Sequence, residues 1–434
     1  MPAFLHFAGM KGKYLLSTIL LSGFSFLAHG QDSLRVMFYN LTNYGNNFAP
    51  CTTSNNGVSL KNPRFKVIMK YVKPDILGVC EMNTNPAIAN SFLNNVLNVD
   101  GVTSYKRSNP VVEPSGTITS VLFYNSDKLV LANQASVSGS PRLTHHFRLY
   151  CKTEGLAQGD TIWVNVLAGH FKAGNTSSDA NDRANTTAAI RTYLNNFPRR
   201  ENCMIMGDFN VYTSAEAAFQ NLIVAGTRPT YQFLDPVNRV GSWGSNAGFA
   251  DVHTQCPTTG TNGGCFSGGG LDDRFDFILM NRHLLNDSNK LKYVAGTYKA
   301  LGNDGLHYNR SINAAPTNTS APSAILDSLV KVSDHLPVVA KLRVSGVFTS
   351  VFGTRAVPRL ELFRRGDRVE VLGLADGKTL EWEVLDVSGR LLGTGTAVLE
   401  DGSFPMPEVR VQGLLNLRVR SGREGLGVLR MGSW

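Results

Sequence analysis

One pattern constrains this chain more than any other: a short apolar run that stops at a single polar side chain, repeated at four places. Residues 34–39 end at Asn40, 76–80 at Glu81, 162–169 at His170, and 203–207 at Asp208. Short apolar runs bounded by turn signals read as strands covered on both faces. Such strands need helices or a second sheet to cover them. Residues 63–72 supply one helix, with Phe65, Ile68, Met69 and Val72 on one face and Pro63 suited to the first turn. A second helix is expected at about 182–195, and further strands at 119–124, 274–280 and 337–342. This alternation implies an α/β arrangement of layers. Strand ends in open α/β sheets face a common crevice, so polar residues gathered there point to one site.

Each residue also has an ordinary reading. Asn40 suits a turn, Glu81 a loop cap, and His170 a hydrogen-bonded core histidine. Asp208 and Asn210 are spaced to lie on one side of an extended backbone while Phe209 turns into the core, and Gly207 permits close approach of backbone or substrate. Asp276 sits among apolar neighbours in a strand pattern. A lone buried carboxylate is costly, so a buried partner is expected, and a histidine is a natural one. Asp272 and Asp273 read as exposed loop acids. In KVSDHLPVV, residues 331–339, Asp334 and His335 would face apart in a regular strand. Pro337 suits a first strand position, which places the pair just before the strand, where both can reach the crevice.

With 42% hydrophobic and 17% charged residues, the 434-residue chain is not a disordered protein and has material for more than one domain. Lys11 and Lys13 precede an apolar run at 14–27, followed by Ala28-His29-Gly30, the pattern of a secretory signal over 1–30. That run is shorter than the roughly 20 residues of a spanning helix. A secreted or cell-surface protein is expected. Its cysteines, at 51, 80, 151, 203, 256 and 265, then meet an oxidising compartment, and a disulfide between Cys256 and Cys265 is expected to close the glycine-rich loop between them. The glycines at 263–270 lack the Gly-Lys-Ser/Thr ending of a phosphate-cradling loop and read as a connector. A catalytic domain is assigned to 31–344. Residues 345–434 contain no cysteine and carry short alternating runs split by turn signals, a small all-β module. Of the net charge of +9, the module carries +1 and the signal +2, which leaves +6 on the body, suited to a polyanion.

Taken in order, Asn40 in FYN, Glu81 in CEMN, His170 in LAGHFKAG, Asp208 and Asn210 in MGDFN, Asp276 in RFDFIL and Asp334-His335 in SDHLPV resemble the motifs of the endonuclease/exonuclease/phosphatase superfamily, the deoxyribonuclease-I-like group. The resemblance covers most of 34–342. It implies a four-layered α/β sandwich and metal-dependent phosphoric ester hydrolysis, most naturally an extracellular nuclease acting on DNA or RNA. A same-fold phosphatase or sphingomyelinase-like phosphodiesterase, acting on a lipid or small phosphate ester, is the alternative. A non-catalytic surface-binding protein is the third reading, disfavoured because every expected acid, amide and histidine is present. The resemblance makes Glu81, with Asn40 and Asp334, the ligands of Mg2+ or of Mn2+ or Ca2+. It makes His170, Asp208, Asn210, Asp276 and His335 catalytic, with Asp276 orienting His335. One position departs: residues 116–124 hold no acid where deoxyribonuclease-I-like enzymes pair a glutamate with the histidine. The C-terminal module, through WEVLDVSGRLLGTG at 382–395, resembles the β-sandwich sorting domain of the type IX secretion system of Bacteroidetes, which implies the secretion machinery as a partner.

Overall fold

The strands of the body are β1 (Ser33–Tyr44), β2 (Ile76–Asn83), β3 (Tyr105–Arg107), β4 (Ile118–Asn125), β5 (Leu129–Val137), β6 (Thr144–Cys151), β7 (Trp163–His170), β8 (Asn202–Asp208), β9 (Phe233–Leu234), β10 (Asp276–Asn281), β11 (Leu291–Tyr293), β12 (Lys299–Ala300) and β13 (Val338–Val344). The computed structural model describes residues 32–431 apart from 115, 198, 228, 350–360, 373, 375, 387–389, 409–414 and 422–424. The expected signal at 1–30 lies outside the described residues. No described helix is long and apolar enough to cross a membrane.

The strands form two mixed sheets. One runs β11-β13-β1-β2-β4-β3 with β12 also on β13; the other runs β5-β6-β7-β8-β10-β9. Residue alternation explains how they stack. Val36 and Phe38 of β1, Ile76 of β2 and Leu122 of β4 share one core with Val164 and Val166 of β7, Met204 and Met206 of β8 and Ile278 of β10, so the sheets pack face to face. The intervening residues face outward. Met37, Tyr39, Leu77 and Val79 meet α1 (Val58–Val72), α2 (Pro86–Phe92) and α5 (Ser323–Val332), while Leu167, Ile205 and Leu279 meet α3 (Ser177–Asn196) and α4 (Ala217–Ile223). The result is helix, sheet, sheet, helix: a four-layered α/β sandwich. Both faces of the central strands are buried, which is why they read as continuous apolar runs.

Two helix starts differ from expectation. α1 begins at Val58, and Pro63 lies inside it. α3 begins at Ser177 because Thr176 and Asp179 cap it reciprocally, the Thr176 Oγ1 accepting from the Asp179 N–H at 3.2 Å and Asp179 Oδ2 accepting from the Thr176 N–H at 3.2 Å. The expected Cys256–Cys265 bridge is also corrected. Cys265 is bonded to Cys51, while Cys256 is a free buried thiol. Proximity in sequence misled here, because folding brings the 45–57 loop against the glycine-rich loop. Asn55 and Asn262 reinforce that contact, each donating its Nδ2 to the other's carbonyl, at 3.0 and 2.9 Å.

Residues beyond β13 still belong to the body's hydrogen-bonding pattern. The Phe348 N–H donates to Asp32 at 2.6 Å and that of Thr349 to the Lys152 carbonyl at 2.9 Å. The C-terminal module has two sheets. One holds β14 (Glu361–Arg365), β15 (Arg368–Leu372) and β18 (Ser403–Pro405), and the other β16 (Thr379–Asp386), β17 (Leu391–Val398), β19 (Leu415–Ser421) and β20 (Gly425–Met431). They share a core that includes Val369, Leu380, Val384, Phe404 and Leu417. β16 and β17 pair antiparallel, with Trp382 opposite Gly395; the turn at Ser388-Gly389 falls outside the described residues.

Candidate active site

Strand register brings the polar ends together. β7 and β8 run parallel with His170 opposite Asp208, and β8 and β10 run antiparallel with Asp208 opposite Asp276. Three candidate residues therefore lie in a row across one sheet. One step behind them Gly169 faces Gly207, where a Cβ on Gly207 would lie 2.3 Å from the Gly169 carbonyl oxygen. The close approach expected at Gly207 is thus to backbone. Phe209 turns inward as expected and stacks between Phe171 and Phe277 at 4.8 and 5.1 Å. Asn210 does not continue the extended backbone; at φ 51° it turns back, its N–H donating to Asp208 Oδ1 at 3.1 Å and its Nδ2 to the Phe171 carbonyl at 3.3 Å.

The facing sheet contributes Asn40 and Glu81 from the irregularity inside the parallel pair β1 and β2, where Asn40 lies opposite Cys80 and the register shifts before Tyr44 meets Met82; the strands do not end there as expected. Asn40 Nδ2 bridges both sheets, donating to Glu81 Oε1 at 2.9 Å and to Asp208 Oδ2 at 3.0 Å. Its oxygen accepts from the Thr42 N–H at 2.9 Å. Asn40 thus turns a donor, not an oxygen, toward the acids. Asp334 is likewise held by donors. Its Oδ1 accepts from Thr42 Oγ1 at 2.5 Å and its Oδ2 from the Ser267 N–H at 2.9 Å, and it belongs to neither group of acids and histidines whose ligand atoms lie within 4.8 Å of one another. Those groups are Glu81, His170 and Asp208, and Asp208, Asp276 and His335.

His335 meets Asp276 as the burial argument required, with Nδ1 2.7 Å from Asp276 Oδ2. Gln255, a residue the sequence did not flag, places its Nε2 2.7 Å from His335 Nε2. It comes from a separate loop, and nothing in its sequence surroundings marks it. Burial alone would lower the His335 pKa, but Asp276 and Asp208, with Asp334 behind them, outweigh it and hold it well above the ordinary histidine value. His170 is the reverse. Burial, Arg142 and His335 push it well below that value, so its ring is neutral, with Nε2 3.7 Å from Glu81 Oε1 and 3.6 Å from Asp208 Oδ2. Asp208 is pushed up to about 7, chiefly by burial and further by Asp276 and Glu81, against the opposing pull of His335.

Among the described residues no acid pairs with His170 at hydrogen-bond distance. The nearby glutamate, Glu113, lies before β4 and instead bonds His145 Nε2 at 3.0 Å and the Leu143 N–H at 2.7 Å. Two further ion pairs that sequence reasoning passed over hold the frame. Arg274 forks onto Asp235 at 2.8 and 2.9 Å, two residues before Asp276, and Arg183 reaches Glu216 at 2.7 Å while its Nη1 donates to the Lys172 and Gly174 carbonyls just after His170. Asp272 and Asp273 are half-buried rather than exposed, and Asp273 is pushed up to about 6, mainly by burial and then by Asp272.

The donor set suits a hard divalent ion. Glu81 is the half-exposed acid of the cluster, and each of its oxygens, engaged once by Asn40 or by the Asn43 N–H at 2.9 Å, keeps a lone pair. Among the described residues no lysine or arginine forms an ion pair with Glu81, Asp208 or Asp276. Glu81, unlike Asp276 with its histidine, has no charged partner of its own among the described residues, and an acid so placed is where a bound cation lowers the electrostatic cost.

No protein-family model matches the chain, and no curated protein matches it. Among solved structures, it is similar to an endonuclease/exonuclease/phosphatase family protein from Bacteroides thetaiotaomicron, at 15% identity and TM-score 0.42, over 72% of this chain and 95% of that one. It is similar to D. rerio TDP2 complexed with single strand DNA product, at 10% identity and TM-score 0.45, over 72% of this chain and 100% of that one. It is also similar to a mannosyl-6-phosphatase from Bacteroides thetaiotaomicron, at 14% identity and TM-score 0.41, over 71% and 99% of the two chains.

Proposed function

We propose that this chain is a divalent-metal-dependent phosphoric ester hydrolase, and specifically a secreted nuclease acting on the phosphodiester bonds of DNA. The observation that carries the reading is the convergence, where the two sheets meet, of Glu81, Asp208 and His170 with the buried Asp276–His335 pair. The surplus of positive charge on the body favours a polyanionic substrate. The Cys51–Cys265 disulfide supports an oxidising destination.

A hard ion held by Glu81, with water completing its shell, would offset the charge that builds on the phosphoryl oxygens. Asp208, with its raised pKa, accepts the proton of the attacking water. His335, fixed through Nδ1 by Asp276, accepts from Gln255 Nε2 at Nε2 while neutral; once the carboxamide turns away and the ring is charged, it donates from Nε2 to a phosphoryl oxygen. Neutral His170 adds a second donor, and Asn210 holds the turn that carries Asp208.

Supercoiled plasmid, a choline phospholipid and a sugar phosphate, each incubated with purified protein and Mg2+, Mn2+, Ca2+ or chelator, test this reading. Plasmid relaxation that chelator abolishes is expected. Release of phosphocholine or inorganic phosphate with the plasmid intact would sink the nuclease assignment, and inertness toward all three would sink the hydrolase assignment.

A further inference from the structure

Lys61 lies in the first turn of α1 and is only 2% exposed, yet no carboxylate pairs with it among the described residues. A buried charge without a counter-ion is costly and calls for a compensating arrangement. Its ammonium spends all three donors on oxygens: the Leu41 carbonyl at 2.6 Å, the Thr42 carbonyl at 2.8 Å and Asn56 Oδ1 at 2.7 Å. Asn56 Nδ2 donates in turn to the Thr42 carbonyl at 2.9 Å and the Asn43 carbonyl at 3.3 Å.

The backbone they grip is the irregular part of β1. Thr42 and Asn43 have φ of 46° and 52°, a left-handed conformation that asparagine tolerates but a β-branched threonine adopts only when something holds it there, and the pairing with β2 shifts register between Asn40 and Tyr44. The kink turns the carbonyls of 41–43 toward α1 and the opposite groups toward the crevice. There the Asn43 N–H donates to Glu81 Oε2 at 2.9 Å, the Thr42 N–H fixes Asn40 Oδ1 at 2.9 Å, and Thr42 Oγ1 donates to Asp334 Oδ1. Three crevice side chains thus take their orientation from two left-handed residues, of which Thr42 is strained.

We propose that Lys61, seconded by Asn56, is a positioning residue that clamps the β1 kink and so aims Glu81 for cation binding. The inference rests on the metal-dependent reading of the site. Its effect passes through backbone carbonyls rather than through contact with substrate. Groups that orient a ligand carboxylate in this way typically set metal affinity by about 10- to 100-fold.

The test is direct calorimetric titration of the full chain with Mn2+ at pH 6.5, below the value of about 7 to which burial lowers the Lys61 pKa, with melting temperature measured alongside. Lys61→Met keeps the length and apolar stem but donates nothing; it is expected to weaken Mn2+ binding by about 10- to 100-fold. Asn56→Ala leaves two Lys61 bonds in place and is expected to weaken binding by a smaller factor in the same direction. Unchanged Mn2+ affinity in folded Lys61→Met overturns the proposal, even if its melting temperature falls, because a purely structural lysine would give that result. If Lys61→Met does not fold, Asn56→Ala decides, and wild-type affinity there overturns the proposal. Wild-type protein that binds Mn2+ yet hydrolyses no phosphate ester defeats the proposed function and leaves the Lys61 comparison readable; wild-type protein that binds no Mn2+ overturns both.

Discussion

The chemistry of the crevice follows from unequal solvation of its acids. Glu81 reaches solvent, whereas Asp208 and Asp276 are buried, and only Asp276 has a short bond to an imidazole. Asp208 is therefore the acid with a raised pKa, at about 7 against an ordinary value near 3.8. The native state keeps a proton there that the unfolded chain loses, so the metal-free protein loses stability as pH rises through the window from about 4 to about 7, and the loss is complete above it. Asp208→Asn should raise the melting temperature of metal-free protein at pH 8, by the equivalent of about 1–3 kcal/mol, with no gain at pH 4, while hydrolysis falls by at least about 100-fold. For the same reason Mg2+ affinity should climb with pH up to about 7 and then level, which calorimetry across pH 6–8 checks. Asp276→Asn leaves the shape but not the charge that holds His335 protonated. A loss of about 100- to 10,000-fold in kcat in a folded protein is expected; wild-type turnover would remove His335 from the assigned role.

At the level of elements, the alignment of His170, Asp208 and Asp276 is a matter of register, and register depends on what lies one step behind. Gly207→Ala sets a methyl group 2.3 Å from the Gly169 carbonyl oxygen, which is backbone and cannot turn aside. β7 and β8 must part to admit it. We expect a cost of about 1–3 kcal/mol, read as a fall in melting temperature, and a loss of activity near 100-fold from displacement of both strand ends. Much of this was legible in the sequence, because apolar runs closing on a polar residue report both burial and the crevice edge. Asp276 could be assigned a buried histidine from the cost of its isolation alone. What stayed hidden shares one physical cause. β5 was missed because it is an edge strand whose exposed Ala132, Asn133 and Ser136 break the apolar signal, and Gln255, Lys61 and the Arg274–Asp235 pair act through contacts whose partners lie far off in the chain. Orientation was hidden too. Asn40 and Asp334 are at the expected place, but only the donors from Thr42 and Ser267 show which way their oxygens face.

For the whole molecule, the two sheets carry the site between them, four candidate residues from one and four from the other or its flanking loops, so anything that loosens their packing loosens the chemistry. The Cys51–Cys265 bond ties the first strand's following loop to the loop that carries Ser267, whose N–H holds Asp334. It spans 214 residues, and the chain-entropy account assigns such a closure up to about 5 kcal/mol. Replacing both cysteines by serine should lower the melting temperature and weaken activity, and reductant should do the same to wild-type protein but not to the double variant.

That bond also makes residues 51–265 a covalent ring containing Glu81, His170 and Asp208. A protease that cuts one exposed loop within the ring opens the chain without releasing either piece. On an unreduced gel such nicked protein should run as a single species and still hydrolyse substrate, separating into two only on reduction. A chain exported as proposed would outlast its first cut among extracellular proteases.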